Sequence, residues 1–303
     1  MSTSVTERPR ATDAPEPARL RRLPDWLKGN VLLLPTTVWF GLLLVIPMII
    51  VIQYSVGRRG IIDPVRFTWD KLVFSNYTDA LNPDFLPIFI RSIVYALVCT
   101  GACIALGFPL AYWIARFGGR FRNVFLVLVI IPFLTSYLIR IYAWQFILQS
   151  NGLLNSVLGT IGLGGNHQFL NTSFAVILGL TYGFLPFMVL PLYASIERMD
   201  PALVEASYDL GHGKVSTFLR VIVPTVAPGL VAGVLLVFIP AVGDFVTPEL
   251  LGGVRTQMFG NTIADQFGSG QNWPLGSAMA VLLMGFILIG VYFYLRRVGE
   301  EAL

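Results

Sequence analysis

The chain has 303 residues, of which 55% are hydrophobic and only 13% charged, and its mean hydropathy is +0.71. A soluble domain carries about 25% charged residues, so this chain cannot cover its own surface with charge. That excludes a soluble globular domain, a disordered chain and a nucleic-acid binder, and leaves the net charge of +4 to be explained by where the basic residues lie.

Residues 1–30 are polar and carry Pro9, Pro15, Pro17 and Pro24. This stretch is too long and polar for the start of a cleaved signal peptide and reads as a flexible tail before a retained first span. A helix needs about 20 mostly apolar residues to cross the hydrocarbon core. Six stretches meet that need, at 31–53, 87–115, 124–148, 173–196, 221–245 and 275–295. The expected architecture is therefore all-α, with a six-span domain over 31–297 and a short tail at 298–303.

The first loop, 55–86, holds turn residues with Phe67, Trp69, Phe74 and Tyr77, and reads as short helices outside the bilayer. In the second span Cys99 and Cys103 lie i, i+4. They offer two soft ligands where a metal needs three or four, or simply a pair packed in a helix. Arg140 lies in the outer half of the third span beside Tyr137, Tyr142 and Trp144. Asp244 ends the fifth span, with Glu249 beyond it, and Gly229 and Gly233 form a G-x-x-x-G suited to close helix packing. No nucleophile–base pair, metal cluster or cofactor motif is found in the spans. Neither His167 nor His212 has a companion in the sequence for metal binding or catalysis.

The basic residues set the orientation. Arg8, Arg10, Arg19, Arg21, Arg22 and Lys28 lie in the N-terminal tail, and Arg116, Arg120 and Arg122 follow the second span. Arg198, Lys214 and Arg220 follow the fourth, and Arg296 and Arg297 close the chain. The loop between spans three and four has no Lys or Arg, and the loop between five and six has only Arg255. Arg58, Arg59, Arg66 and Lys71 in the first loop break the trend. Both termini are read as cytoplasmic.

The longest cytoplasmic loop, 197–220, carries the clearest local signals. Asp200-Pro201 is a helix start, with Asp as N-cap and Pro at the first helical position. Leu203, Ala206, Ser207 and Leu210 then fall on one small, apolar face. Gly211 and Gly213 suit a left-handed stop. A helix of about three turns is expected, either docking another protein or lying on the bilayer. Glu205 and Asp209 weigh mildly against anionic headgroups.

Glu205-Ala206-Ser207, three residues, Gly211, nine residues and Val221-Ile222-Val223-Pro224 resemble the EAA loop of ABC-importer permeases. The departures, at Ser207, Val221 and Val223, are small or apolar. Further stretches resemble the spermidine/putrescine branch: Leu138 to Trp144, Leu185 to Tyr193, Gly243 to Gly253 and Asn272-Trp273-Pro274. The resemblance covers nearly everything from the first span to the sixth. It implies a type I importer half-channel in a bacterial inner membrane. It also implies a second, homologous permease subunit, a dimeric ATP-binding subunit, an extracytoplasmic solute-binding protein and an organic cation as solute.

In such a permease Glu205, Ala206, Ser207, Gly211 and Pro224 couple to the ATPase. Gly211 would serve a close approach or a positive φ, and Pro224 would set the entry into span five by restricting Val223. The nearest fragment to a phosphate-binding loop is Gly213-Lys214-Val215, with Tyr208 at the first glycine's place, so no P-loop is present and hydrolysis falls to a partner. Asp244 and Glu249, with Arg140, Tyr142, Trp144 and Trp273, are candidates for the solute pathway. Two alternatives stay open for them: an Asp244–Arg140 ion pair holding helices together, and an interfacial aromatic belt. The solute could also be another amine, an opine or an amino-acid derivative. A secondary transporter driven by an ion gradient would lack the EAA-like loop, and an intramembrane enzyme would need a constellation that is not found.

Overall fold

A computed structural model describes residues 25–59, 72–162 and 167–301. The basic residues Arg8 to Arg22, together with Phe67 and Trp69 of the first loop, lie outside the described residues. The chain divides into two units, Met1–Ile50 and Val51–Leu303. The described part of the first unit is helical from α1 (Asp25–Phe40) through a π-helical turn at Gly41–Val45 into α2 (Ile46–Ser55), which runs on into the second unit.

The second unit continues with α3 (Ser75–Ala80), α4 (Leu86–Phe117), α5 (Arg122–Ile130), α6 (Tyr137–Leu148), α7 (Leu153–Thr160) and α8 (Ser173–Arg198). Next come the short elements α9 (Ala202–Asp209), α10 (Lys214–Thr217) and α11 (Val223–Thr225), then α12 (Ala227–Gly243), α13 (Val246–Leu251), α14 (Phe259–Phe267) and α15 (Trp273–Glu301). No β-strand is formed among the described residues, as the composition led one to expect. The short α3 lies in the first loop, also as expected, while α7, α13 and α14 fall in stretches read as loop.

Four helical stretches are long and apolar enough to cross a membrane singly: Leu33–Ser55, Leu86–Phe117, Ser173–Arg198 and Trp273–Arg296. They coincide with the first, second, fourth and sixth expected spans. The third and fifth depart from a straight helix. Segments Gly119–Leu134 and Tyr137–Thr160 meet at 88°, and Lys214–Thr225 meets Ala227–Gly243 at 73°. Counting each bent pair as one span gives six. Length explains the need for two pieces: the 12 residues of α6 reach only about 18 Å, against about 30 Å of hydrocarbon.

The third span breaks at Thr135, which is extended (φ −80°, ψ 156°) after a 3₁₀ turn that opens with Ile131-Pro132. The bend before α12 lies at Val226 (φ −95°, ψ 6°). Val223, although it precedes Pro224, is right-handed helical (φ −57°, ψ −47°), so Pro224 does not turn the chain through it. A π-helical turn at Phe218–Ile222 comes directly before α11. Such a turn loosens the helix where proline brings no N–H and crowds the preceding carbonyls.

The core lies between α4, α8 and α12, where glycine lets backbones approach. A Cβ on Gly229 would come within 2.5 Å of the Pro191 carbonyl oxygen, and one on Gly233 within 2.7 Å of the Met188 sulfur. Both faces belong to α8, so the G-x-x-x-G of the sequence is a packing seam. Gly107 of α4 meets Met188 from the other side, at 3.1 Å from a built Cβ. Cys99 and Cys103 are buried in this core, and Cys103 Sγ donates to the Thr181 carbonyl at 3.6 Å.

The two ends of the bundle are tied by side chains. At one end Arg116 donates to the Met199 carbonyl at 2.8 Å, and Arg122 pairs with Glu197 at 2.7 Å. This fixes the exit of α8 beside the start of α5. At the other end Arg91 donates to the carbonyls of Arg255 and Gln257, and Ser92 Oγ accepts the Phe259 N–H at 2.6 Å. The segment between α13 and α14 is thereby held to α4.

Candidate functional site

Two places concentrate polar geometry. The first is the loop after α8. Asp200 Oδ1 accepts the Ala202 N–H at 2.9 Å, the N-cap contact that Asp-Pro foretells. The helix it starts, α9, has 8 residues, about two turns where three were expected. Its stop is a Schellman motif: the Gly211 N–H reaches the Tyr208 carbonyl at 2.8 Å, and the His212 N–H reaches the Ser207 carbonyl at 3.1 Å. Gly211 has φ +81°, and a Cβ there would meet nothing within 4 Å. The glycine therefore serves backbone conformation and not close approach within this chain. Gly213 is extended at φ −74° and carries no such requirement.

The apolar face read from the sequence splits in two. Ser207 is buried, while Leu203, Ala206 and Leu210 are exposed, as is Glu205. With Val215 and Leu219, also exposed, they leave an apolar, two-helix surface at this end of the bundle.

The second place is the break after α12. Asp244 is half-buried and extended. Its Oδ1 accepts the N–H of Val246 at 2.9 Å and of Thr247 at 3.4 Å, capping α13. Its Oδ2 accepts the hydroxyls of Tyr137 at 2.6 Å and Thr247 at 2.5 Å. Glycines of α8 make room: a Cβ on Gly183 would lie 3.1 Å from the Tyr137 ring, and one on Gly179 would lie 2.7 Å from the Thr247 methyl.

Arg140 lies one turn beyond Tyr137 and is 8% exposed. Its guanidinium stands 5.4 Å from the ring centroids of both Phe133 and Tyr137. Its Nε is buried without a hydrogen-bond partner, and among the described residues no ion pair joins it to Asp244. The Asp244–Arg140 pair considered from the sequence is thus not formed. Tyr137 separates the two charges, with its hydroxyl on one and its ring beneath the other.

The remaining pathway candidates are dispersed. Glu249 is exposed and accepts from Asn261 Nδ2 at 3.0 Å, and the same nitrogen reaches the Phe245 carbonyl at 2.8 Å. Trp144 packs on Tyr182 of α8 at 5.4 Å, and Trp273 packs against Tyr54 and Phe267 at 6.1 and 5.8 Å. Tyr142 is exposed. The aromatic that touches Asp244 is Tyr137, which sequence reasoning noted only as a neighbour of Arg140. Thr247 and Asn261 were missed. The Asp-x-x-Thr spacing of a capped helix start was the available signal for Thr247.

Bent apolar segments thus pack around a glycine-lined core, with a short capped helix at one end. Residues 107–298 match the family described as binding-protein-dependent transport system inner membrane component, and the chain belongs to it. It is a multi-pass permease subunit of the ABC importer type.

Among its relatives is the spermidine/putrescine transport system permease protein PotB of Escherichia coli (strain K12). The two are 40% identical over 86% of this chain and 94% of the relative. The protein of the same name from Haemophilus influenzae is 38% identical over 85% and 90%. The fold is shared with a chain of a bacterial ABC transporter involved in the import of the acidic polysaccharide alginate. That likeness has a TM-score of 0.69 at 22% identity and covers 91% of this chain and 96% of the other.

Proposed function

We propose that this permease imports polyamines of the spermidine/putrescine class, forming half of the translocation pathway beside a second, homologous permease subunit. The observation that carries the solute class is the 40% identity to a spermidine/putrescine permease over 86% of the chain. In this reading residues 1–30 and 298–303 are cytoplasmic tails, 31–297 form the transmembrane domain, and an extracytoplasmic binding protein delivers the solute.

Energy comes from a dimeric ATP-binding subunit, which docks on the loop 197–220. The capped α9, the left-handed Gly211 turn and the exposed Leu203, Leu210 and Val215 support that docking. Glu205, Ala206, Ser207, Gly211 and Pro224 are the coupling residues. Motion enters through α9 and α10 and reaches α12 across the bend at Val226.

Asp244 supplies negative charge at the outer end of the fifth span, with Glu249 nearby in sequence. A carboxylate at membrane depth is costly and is a functional candidate by default. A polyamine, an alkyl chain with ammonium ends, suits carboxylates and aromatic faces. Tyr142, Trp144 and Trp273 are the aromatic candidates along the route, and Arg140 is the cation that the route must pass. The test is competition for uptake in the reconstituted assembly. Spermidine and putrescine should compete fully and amino-acid analogues should not. Equal competition by amino acids would reassign the solute.

A further inference from the structure

An alanine at position 207 would satisfy helix α9 as well as a serine does, so the hydroxyl calls for its own account. Ser207 is 4% exposed and Thr217 is 0% exposed. Ser207 Oγ lies 3.0 Å from Thr217 Oγ1 and 3.2 Å from His212 Nδ1. The Ser207 carbonyl also accepts the His212 N–H. Three points of the loop, α9, the turn and α10, therefore meet at one buried residue.

The backbone route between α9 and α10 is compliant. It runs through Gly211 and Gly213, both exposed and both with open space where a side chain would be, and glycine resists bending least. Force applied to α9 would be absorbed in that turn if nothing bridged it. Beyond α10 the chain runs through the π-helical turn and α11 into α12, which is seated on α8 through Gly229 and Gly233.

We propose that the Ser207–Thr217 hydroxyl bridge is a positioning contact that makes α9 and α10 one rigid body. Displacement of α9 by the ATP-binding subunit then reaches α12 without loss in the glycine turn. This rests on the reading of α9 as the ATPase dock. It adds that docking and coupling are separable, with the exposed face holding the partner and the buried hydroxyl passing on its motion.

The test uses the full reconstituted assembly with labelled spermidine as probe and reads solute imported per ATP hydrolysed. Thr217→Val should keep the ATP-binding subunit through purification and keep its hydrolysis rate. Its import per ATP should fall about fivefold, the equilibrium weight of one ordinary hydrogen bond. Thr217→Ser, which retains the hydroxyl, should stay near the starting ratio. An unchanged ratio in Thr217→Val, or loss of the ATP-binding subunit from it, overturns the proposal. Failure of the docking reading shows separately, as wild-type co-purification and transport in Gly211→Asp.

Discussion

The Tyr137 hydroxyl donates to the Asp244 carboxylate at 2.6 Å, joining the break in the third span to the break after α12. Irregular backbone at membrane depth survives only where it is buried in protein or lines a wet cavity. Each break here borrows a polar side chain from the other. The shared contact places a carboxylate, two hydroxyls and, one helical turn away, a guanidinium in one small volume.

Removing the phenolic oxygen should therefore be felt at both breaks. A hydrogen bond to a charged group contributes about 1.5–3 kcal/mol, and Tyr137→Phe should lower the stability of the purified permease by about that amount. A thermal unfolding midpoint equal to that of the parent would contradict the contact.

Asp244→Asn separates charge from structure at the same site. Asparagine caps a helix about as well as aspartate, so α13 should keep its start and assembly and ATPase activity should persist. Cation uptake should be abolished. Unchanged uptake kinetics would remove Asp244 from the pathway.

Arg140 gives a prediction of sign. Its guanidinium is buried on two rings with Nε unpartnered, and a buried, unmet donor costs about 1–3 kcal/mol. Arg140→Met should leave the permease as stable or make it more so, read from its unfolding midpoint. Were Arg140 the partner of a buried carboxylate, the same change would cost about 3–5 kcal/mol.

Much of this was legible in the sequence. Apolar length located four single spans and the two bent pairs, Asp200-Pro201 marked the start of α9, and the G-x-x-x-G marked a site of close helix packing. What could not be read was curvature. The bends at Thr135 and Val226 arise where local turns meet tertiary packing, and apolar composition runs through both without a mark. The Tyr137–Asp244 contact was missed for the same reason: Tyr137 lies 107 positions away, across the bend of the third span. The Arg140–Asp244 pair stood as one open alternative because opposite charges at like depth attract. The tyrosine between them is a contact that charge counting does not see.

Gly211 offers a test of why that position is glycine. At φ +81° with open space around a Cβ, the penalty is conformational, about 1–2 kcal/mol for an ordinary side chain. Gly211→Asn should be tolerated, since asparagine enters this region, and Gly211→Val should not. Equal transport by the two variants would show that the turn is dispensable. Gly211→Asp should fold and insert yet lose the ATP-binding subunit on purification, because it places a charge on the docking face.

The central claim is that nucleotide hydrolysed on a separate chain drives a polyamine inward through this permease. The direct measurement is labelled spermidine accumulation in proteoliposomes holding the complete assembly, with and without the ATP-binding subunit. Accumulation should require that subunit and ATP, and should stop when either is withheld. Accumulation by the permease pair alone, or driven by an ion gradient without nucleotide, would contradict it.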